Sequence, residues 1–237
     1  MTVQATGDGA VAAIGLAKSY GDAVALAPLD LVVPAGQRVS LIGHNGSGKT
    51  TLIRMLAGML EPSGGSAIVA GSPAGSSDAR AAMSYLSDQP VFYDDLSVWQ
   101  HLEYVARLHH TDDWAEHART LLDMVGLTHR ADDLPITFSR GLKQKASIAI
   151  AFVRPFELML IDEPFVGLDR AGREALLELI AWAHDDGATM IVATHELSSV
   201  AASDRLIALC DGRVIFDGDP ADAVVDALAS GDAPGPA

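Results

Sequence analysis

Residues 43–51 read Gly-His-Asn-Gly-Ser-Gly-Lys-Thr-Thr, a match to the pattern G-x-x-x-x-G-K-[ST]. Its flanks decide whether this is more than a glycine turn with an incidental lysine. Ahead of it, Arg38-Val39-Ser40-Leu41-Ile42 predicts a buried strand. Behind it, Leu52, Met55, Leu56 and Met59 fall at i, i+3, i+4 and i+7, one apolar face of a helix. A strand feeding a glycine loop that opens a helix is the context this motif needs. Gly43, Gly46 and Gly48 let the backbone N–H groups of the loop, with those of His44, Asn45 and Ser47, curl around a polyphosphate. The helix N-terminus adds its partial positive charge. Lys49 is placed to reach the β- and γ-phosphates, and Thr50, followed by Thr51, to put a hydroxyl on Mg²⁺.

A phosphate loop alone does not separate a kinase from a GTPase or a transport ATPase. The second half of the chain narrows the choice. Leu158-Met159-Leu160-Ile161-Asp162-Glu163 is an apolar strand ending in two carboxylates. Strand alternation points the two acids differently and so suits two roles: Asp162 beside Mg²⁺, and Glu163 orienting water toward the γ-phosphate. The bland alternative is a solvated strand end. From about 156 onward strands and helices alternate, which implies parallel strands under covering helices. Between about 90 and 153 strand signals vanish. Val98, Leu102 and Val105 share a face after Ser97 as N-cap, and Ala118, Leu121, Leu122 and Val125 make a second stripe closed by Gly126. Lys143 to Val153 reads as a buried helix.

These residues carry a family resemblance. The chain resembles the nucleotide-binding subunit of an ATP-binding cassette (ABC) transporter, over roughly residues 10–220. Residues 43–51 and Asp162-Glu163 resemble Walker A and Walker B. Gly167-Leu168-Asp169 resembles the D-loop, His195 in Ala193-Thr194-His195-Glu196 the switch histidine, and Tyr20 the aromatic that stacks on adenine. The resemblance implies an α/β P-loop NTPase of ABC ATPase type, with a mixed sheet core, an antiparallel β lobe and a helical subdomain at about 90–153. A C-terminal helix and disordered tail are expected at 221–237, disordered from Ser230. It further implies ATP and Mg²⁺ as cofactors, a second cassette subunit (homo- or heterodimer), and an integral membrane permease that places the chain at the inner face of the cell membrane.

Two departures stand out. The signature Leu-Ser-Gly-Gly-Gln is matched by Phe138-Ser139-Arg140-Gly141-Leu142. Ser139 and Gly141 are retained to meet the γ-phosphate of ATP on the opposite subunit, with a helix expected just after Gly141. Arg140 in place of glycine needs a backbone that tolerates Cβ. Such variants are similar to those of exporter cassettes. At the Q-loop, Tyr85-Leu86-Ser87-Asp88-Gln89-Pro90, register gives Asp88 the glutamine's place while Gln89 follows; Gln89 is the expected metal-side residue, with Asp88 as the alternative. Phe92 and Tyr93, just beyond, sit where this family grips its membrane subunit.

Composition trims the rival functions. Thirty-one acids against 16 Lys and Arg give a net charge of −15, which argues against a nucleic-acid backbone as partner and against adsorption to an anionic membrane. Cys210, the single cysteine, excludes an intramolecular disulfide and reads as a small core residue of a strand. No leader or membrane-length apolar run is evident, so the chain is expected to be cytoplasmic, with another polypeptide crossing the bilayer. His101, His109, His110, His117 and His129 lack metal-ligand spacing and read as solvated helix faces. A soluble non-transport cassette, or an ATP-binding regulatory half of a heterodimer, remain the competing readings.

Overall fold

The computed structural model describes residues 9–195 and 197–230. The chain opens with β1 (Gly9–Tyr20) and β2 (Ala23–Pro34), joined by a tight turn, then β3 (Arg38–Ile42) and helix α1 (Lys49–Leu56). Next come β4 (Gly64–Val69), β5 (Ser72–Pro73), α2 (Ser77–Ala82) and β6 (Met83–Leu86). Three helices follow without a strand between them: α3 (Val98–Leu108), α4 (Trp114–Met124) and α5 (Arg140–Phe152). Alternation then resumes with β7 (Leu158–Asp162), α6 (Arg170–Asp185), β8 (Thr189–Ala193), α7 (Leu197–Ala201), β9 (Arg205–Cys210), β10 (Arg213–Gly218) and α8 (Val225–Ser230).

Two sheets result. A four-stranded antiparallel sheet has the order β2-β1-β4-β5. A six-stranded sheet has the order β10-β9-β3-β8-β7-β6, parallel except for its edge strand β10. This is an α/β P-loop fold with a mixed sheet core and an antiparallel β lobe. Strands β7 and β8 are buried throughout and largely apolar, because both faces are covered. Leu158, Leu160, Ile191 and Ala193 pack with α1 and the antiparallel sheet, while Met159, Ile161, Met190 and Val192 pack with α3 to α6. Burying these rows removes aliphatic surface from water at about 25 cal/mol per Å².

Local signals explain most boundaries. Ser97 and Gln100 form a reciprocal capping box at the start of α3. The Asp169 carboxylate caps α6 by accepting from the Gly172 N–H at 2.8 Å. Elsewhere the sequence misleads. Helix α1 stops at Leu56, because Gly58 takes a left-handed backbone (φ 67°), so Met59 leaves the predicted apolar face and is 65% exposed. Helix α5 begins at Arg140, before Gly141 rather than after it, with the Ser139 hydroxyl capping it. Residues 231–237, most of the expected disordered tail, lie outside the described residues, as does Glu196; Ser230 itself ends α8.

Candidate functional site

The phosphate loop runs from the end of β3 to the start of α1, at the carboxyl edge of the parallel strands, where ligand sites gather in such sheets. Gly43 adopts φ 145°, and a Cβ there would collide with the Leu209 carbonyl of β9. The loop therefore seats directly on the β9–β10 hairpin, tied to it by Gly212 N–H donating to the Ser47 carbonyl at 3.0 Å. No side chain caps α1, so its first N–H groups face the loop.

Lys49 is buried, at 5% exposure, and folds back over the loop. Its ammonium donates to the Gly43 carbonyl at 2.6 Å and the His44 carbonyl at 3.3 Å, and stands 3.5 Å from Glu163 Oε1. The next residue, Thr50, donates its hydroxyl to Asp162 Oδ1 at 3.1 Å. Asp162 shares the β7 face of Leu158 and Leu160, so alternation aims it at α1. It is fully buried, and its second oxygen, Oδ2, has no hydrogen-bond partner. Burial raises the Asp162 carboxyl above its ordinary range; the Asp88 and Glu163 charges add to this, while the Thr50 hydroxyl and Arg54 oppose it. A buried, under-partnered carboxylate oxygen beside a hydroxyl is a donor set that fits a hard, oxygen-seeking cation such as Mg²⁺.

Glu163 leaves the strand through a left-handed backbone (φ 44°), which turns its side chain away from that of Asp162. Its Oε1 lies 2.9 Å from His195 Nε2, and its N–H donates to the Ala193 carbonyl at 2.9 Å. Lys49, Thr50, Asp162, Glu163 and His195 thus come together in one cluster.

At the Q-loop the structure separates the two candidates. Gln89 is exposed, with its N–H on the Ser87 hydroxyl at 3.1 Å. Asp88 turns inward, 3.9 Å from the Arg54 guanidinium and close enough to perturb Asp162. Of the two, Asp88 rather than Gln89 lies toward Asp162. Arg54, one helical turn beyond Thr50, escaped the sequence reading although its i+4 spacing places it on the same face.

Tyr20 ends β1, 58% exposed, with Lys18 Nζ 5.1 Å from its ring centroid. Ser139 and Gly141 stand apart from the cluster, at the N-terminus of α5. A Cβ on Gly141 would approach the Gly167 carbonyl at 2.5 Å, so only glycine lets the signature turn rest on the D-loop segment. Arg140 occupies the first turn of α5 in ordinary helical conformation, and Leu142 packs against the helical core. Lys145 of the same helix pairs with Asp169 at 2.9 Å; that hydrogen bond, with the one from Gly172, holds the Asp169 carboxyl below its usual range.

Two readings need correction. His101 is buried rather than solvated: its ring accepts from the Tyr93 N–H at 2.9 Å, holds the Ser97 carbonyl at 2.8 Å and stacks on Tyr93. His117 reaches the Phe152 carbonyl at 3.0 Å and is also not free on a surface. Cys210, expected in the core, is half-buried with its sulfur 3.7 Å from His44 Nε2.

Residues 26–166 match the model of the ABC transporter family. The chain is 37% identical over 208 residues to the aliphatic sulfonates import ATP-binding protein SsuB 2 of Pseudomonas aeruginosa (strain UCBPP-PA14), covering 86% of this chain and 73% of that one. It is 34% identical over 205 residues to the SkfA peptide export ATP-binding protein SkfE of Bacillus subtilis (strain 168), covering 85% and 86%. A solved ATP-binding subunit of an ABC transporter superposes with a TM-score of 0.85 at 30% identity, over 92% of this chain and 97% of that one.

Proposed function

The chain belongs to the ABC transporter family as an ATP-binding, ATP-hydrolysing subunit, and we propose that two such subunits close head to tail on ATP to drive a separate membrane permease. The carrying observation is the meeting of Lys49, His195 and Glu163 at one carboxylate oxygen, beside the Thr50–Asp162 pair. That cluster supports a reading in which a lysine, a hydroxyl–carboxylate pair and a second acid serve one phosphate and its metal.

In this reading the triphosphate lies on the N–H groups of residues 43–51, at the positive end of α1. Lys49 exchanges the Gly43 and His44 carbonyls for β- and γ-phosphate oxygens. Thr50 and Asp162 would hold Mg²⁺, with Asp88 on the same side; when bound, the ion would supply charge that neutralises the phosphate oxygens. His195 leaves Glu163 to hydrogen-bond the γ-phosphate. Glu163, released from Lys49 and His195, orients a water in line and accepts its proton. Tyr20 stacks on adenine. Ser139 and Gly141 complete the site of the opposite subunit, where the positive end of α5 faces its γ-phosphate.

The domain comprises residues 10–220, with the helices of 90–153 as the surface toward the permease. No helix among the described residues is long and apolar enough to cross a membrane. The subunit then rests at the inner face of the cell membrane through its partner. Export is the direction implied by the variant signature and supported by the likeness to SkfE. Import is the second reading, favoured by the higher identity to SsuB 2. ATP-driven flux in inside-out vesicles holding the co-purified permease separates them: accumulation supports export, and efflux of preloaded solute supports import.

A further inference from the structure

On the β9–β10 hairpin side of the phosphate loop, the side chains of His44, Cys210 and Asp211 form a group that the nucleotide chemistry does not use. One ligand atom of each lies within 4.8 Å of the others. His44 Nε2 stands 3.7 Å from Cys210 Sγ and 3.5 Å from Asp211 Oδ1. Tetrahedral zinc, with Zn–S of about 2.3 Å and Zn–N or Zn–O of about 2.0–2.2 Å, sets its sulfur and nitrogen ligands roughly 3.6 Å apart and nitrogen and oxygen roughly 3.4 Å apart. The observed separations are those two edges.

A second observation is independent of the spacing. His44 Nδ1 lies 2.9 Å from the Asn45 carbonyl, an acceptor that calls for N–H at that position. Nε2 then carries the lone pair and turns it toward the sulfur and the carboxylate. A ring nitrogen anchored on a backbone carbonyl while the other faces open ligands is the usual support for a metal-bound imidazole.

We propose that His44 Nε2, the Cys210 thiolate and Asp211 Oδ1 form a three-ligand site for a zinc-class divalent cation, with its fourth position open. Thiolate and imidazole select such a metal over Mg²⁺, which prefers oxygen. Asp211, 85% exposed at the hairpin turn, gives the ion a way in. A thiol must lose its proton to bind as thiolate, so metal binding releases a proton and weakens as pH falls.

The test is a Co²⁺ titration of the full, tag-free chain in the absence of nucleotide. Because Cys210 is the chain's single cysteine, a thiolate-to-cobalt charge-transfer band reports this site alone. The expected result is a band that saturates at one equivalent with tetrahedral d–d absorption, survives a large excess of Mg²⁺ and bleaches on adding Zn²⁺. Cys210→Ser should abolish the band, and His44→Ala and Asp211→Asn should each weaken Co²⁺ binding about tenfold or more, while His129→Ala on the surface should not. No band, saturation at half an equivalent, displacement by Mg²⁺, or full affinity in His44→Ala would each overturn the site.

Discussion

His195 Nε2 and Glu163 Oε1 lie 2.9 Å apart because the strands that carry them are neighbours in register. Asp162, the last residue of β7, pairs with Ala193, the last of β8, and the Glu163 N–H closes the join on the Ala193 carbonyl. Backbone pairing therefore brings the two side chains within reach of each other. Lys49 approaches the same oxygen at 3.5 Å, so the acid lies between the Lys49 ammonium and the His195 imidazole.

Hydrolysis should depend on freeing that acid. Glu163→Gln keeps the size and loses the base, so kcat should fall about 10²-fold or more while ATP binding persists. Single-turnover ATPase kinetics on the permease-bound complex reads this. Rapid turnover in the variant would remove Glu163 from its role.

Asp162 makes a prediction about pH with a definite sign. Its folded-state carboxyl is raised, so between the ordinary carboxylate range and that raised value the folded chain binds more protons than the unfolded one. Stability contributed by this group is therefore present at low pH and lost as pH rises through that window. Asp162→Asn should raise the Tm of the nucleotide-free protein at neutral pH, and the gain should shrink as pH drops below the ordinary range. An equal gain at both pH extremes would show that the carboxylate is not the cause.

Much of this site was legible because its signals are local. The phosphate loop occupies nine consecutive residues, and the apolar run of β7 ends in its two acids, so neither needs knowledge of distant contacts. The failures arose where a distant partner or a backbone twist decides the outcome. His101 is buried because the Tyr93 N–H and two aromatic rings meet it, which helical spacing does not encode. Cys210 ends a strand whose interior is buried but whose last residue opens toward His44. Met59 followed the helical period past a helix that Gly58 had already ended. At the Q-loop, simple alternation could not rank Asp88 against Gln89, because a local bond from Gln89 to Ser87 bends the segment.

That bend leads to a paired comparison. Asp88→Asn removes a charge facing Asp162 and should raise the Mg²⁺ concentration needed for half-maximal ATPase severalfold. Gln89→Ala, at an exposed position, should leave it within about twofold. The opposite ranking would assign Gln89, not Asp88, to the metal side.

Arg154 is a structural residue that no motif announced. Only 7% exposed, its guanidinium donates to the carbonyls of Arg80 at 3.2 Å, Ala81 at 2.8 Å, Pro155 at 2.9 Å and also Met83, joining the end of α5 to α2 and β6. Truncation strands several buried acceptors, each hydrogen bond to a charged group being worth about 1.5–3 kcal/mol. Arg154→Ala should therefore cost about 2–4 kcal/mol in urea unfolding at unchanged m-value. A loss under about 0.5 kcal/mol would mean that water replaces the guanidinium.

The permease contact is the remaining prediction. A cavity of about 850 Å³ opens beside the Q-loop, lined by Phe92, Tyr93, Tyr104, Val105 and Ile150 among others. Val91 at 94% and Tyr93 at 56% exposure put apolar surface in water at its rim, and such patches mark interaction sites. Because the cavity also reaches Ser87 and Gln89, an occupant would touch the segment that carries Asp88, giving a direct physical link between permease and metal position. Phe92 packs edge-on against His101 at 5.4 Å, so its loss also loosens α3; Tyr93→Ala isolates the surface effect better. In detergent extracts, Phe92→Ala with Tyr93→Ala should abolish co-purification of the permease, and Tyr93→Ala alone should weaken it, while ATP affinity of the isolated subunit stays within about twofold. Undiminished co-purification in both variants would place the permease contact elsewhere on the helical face.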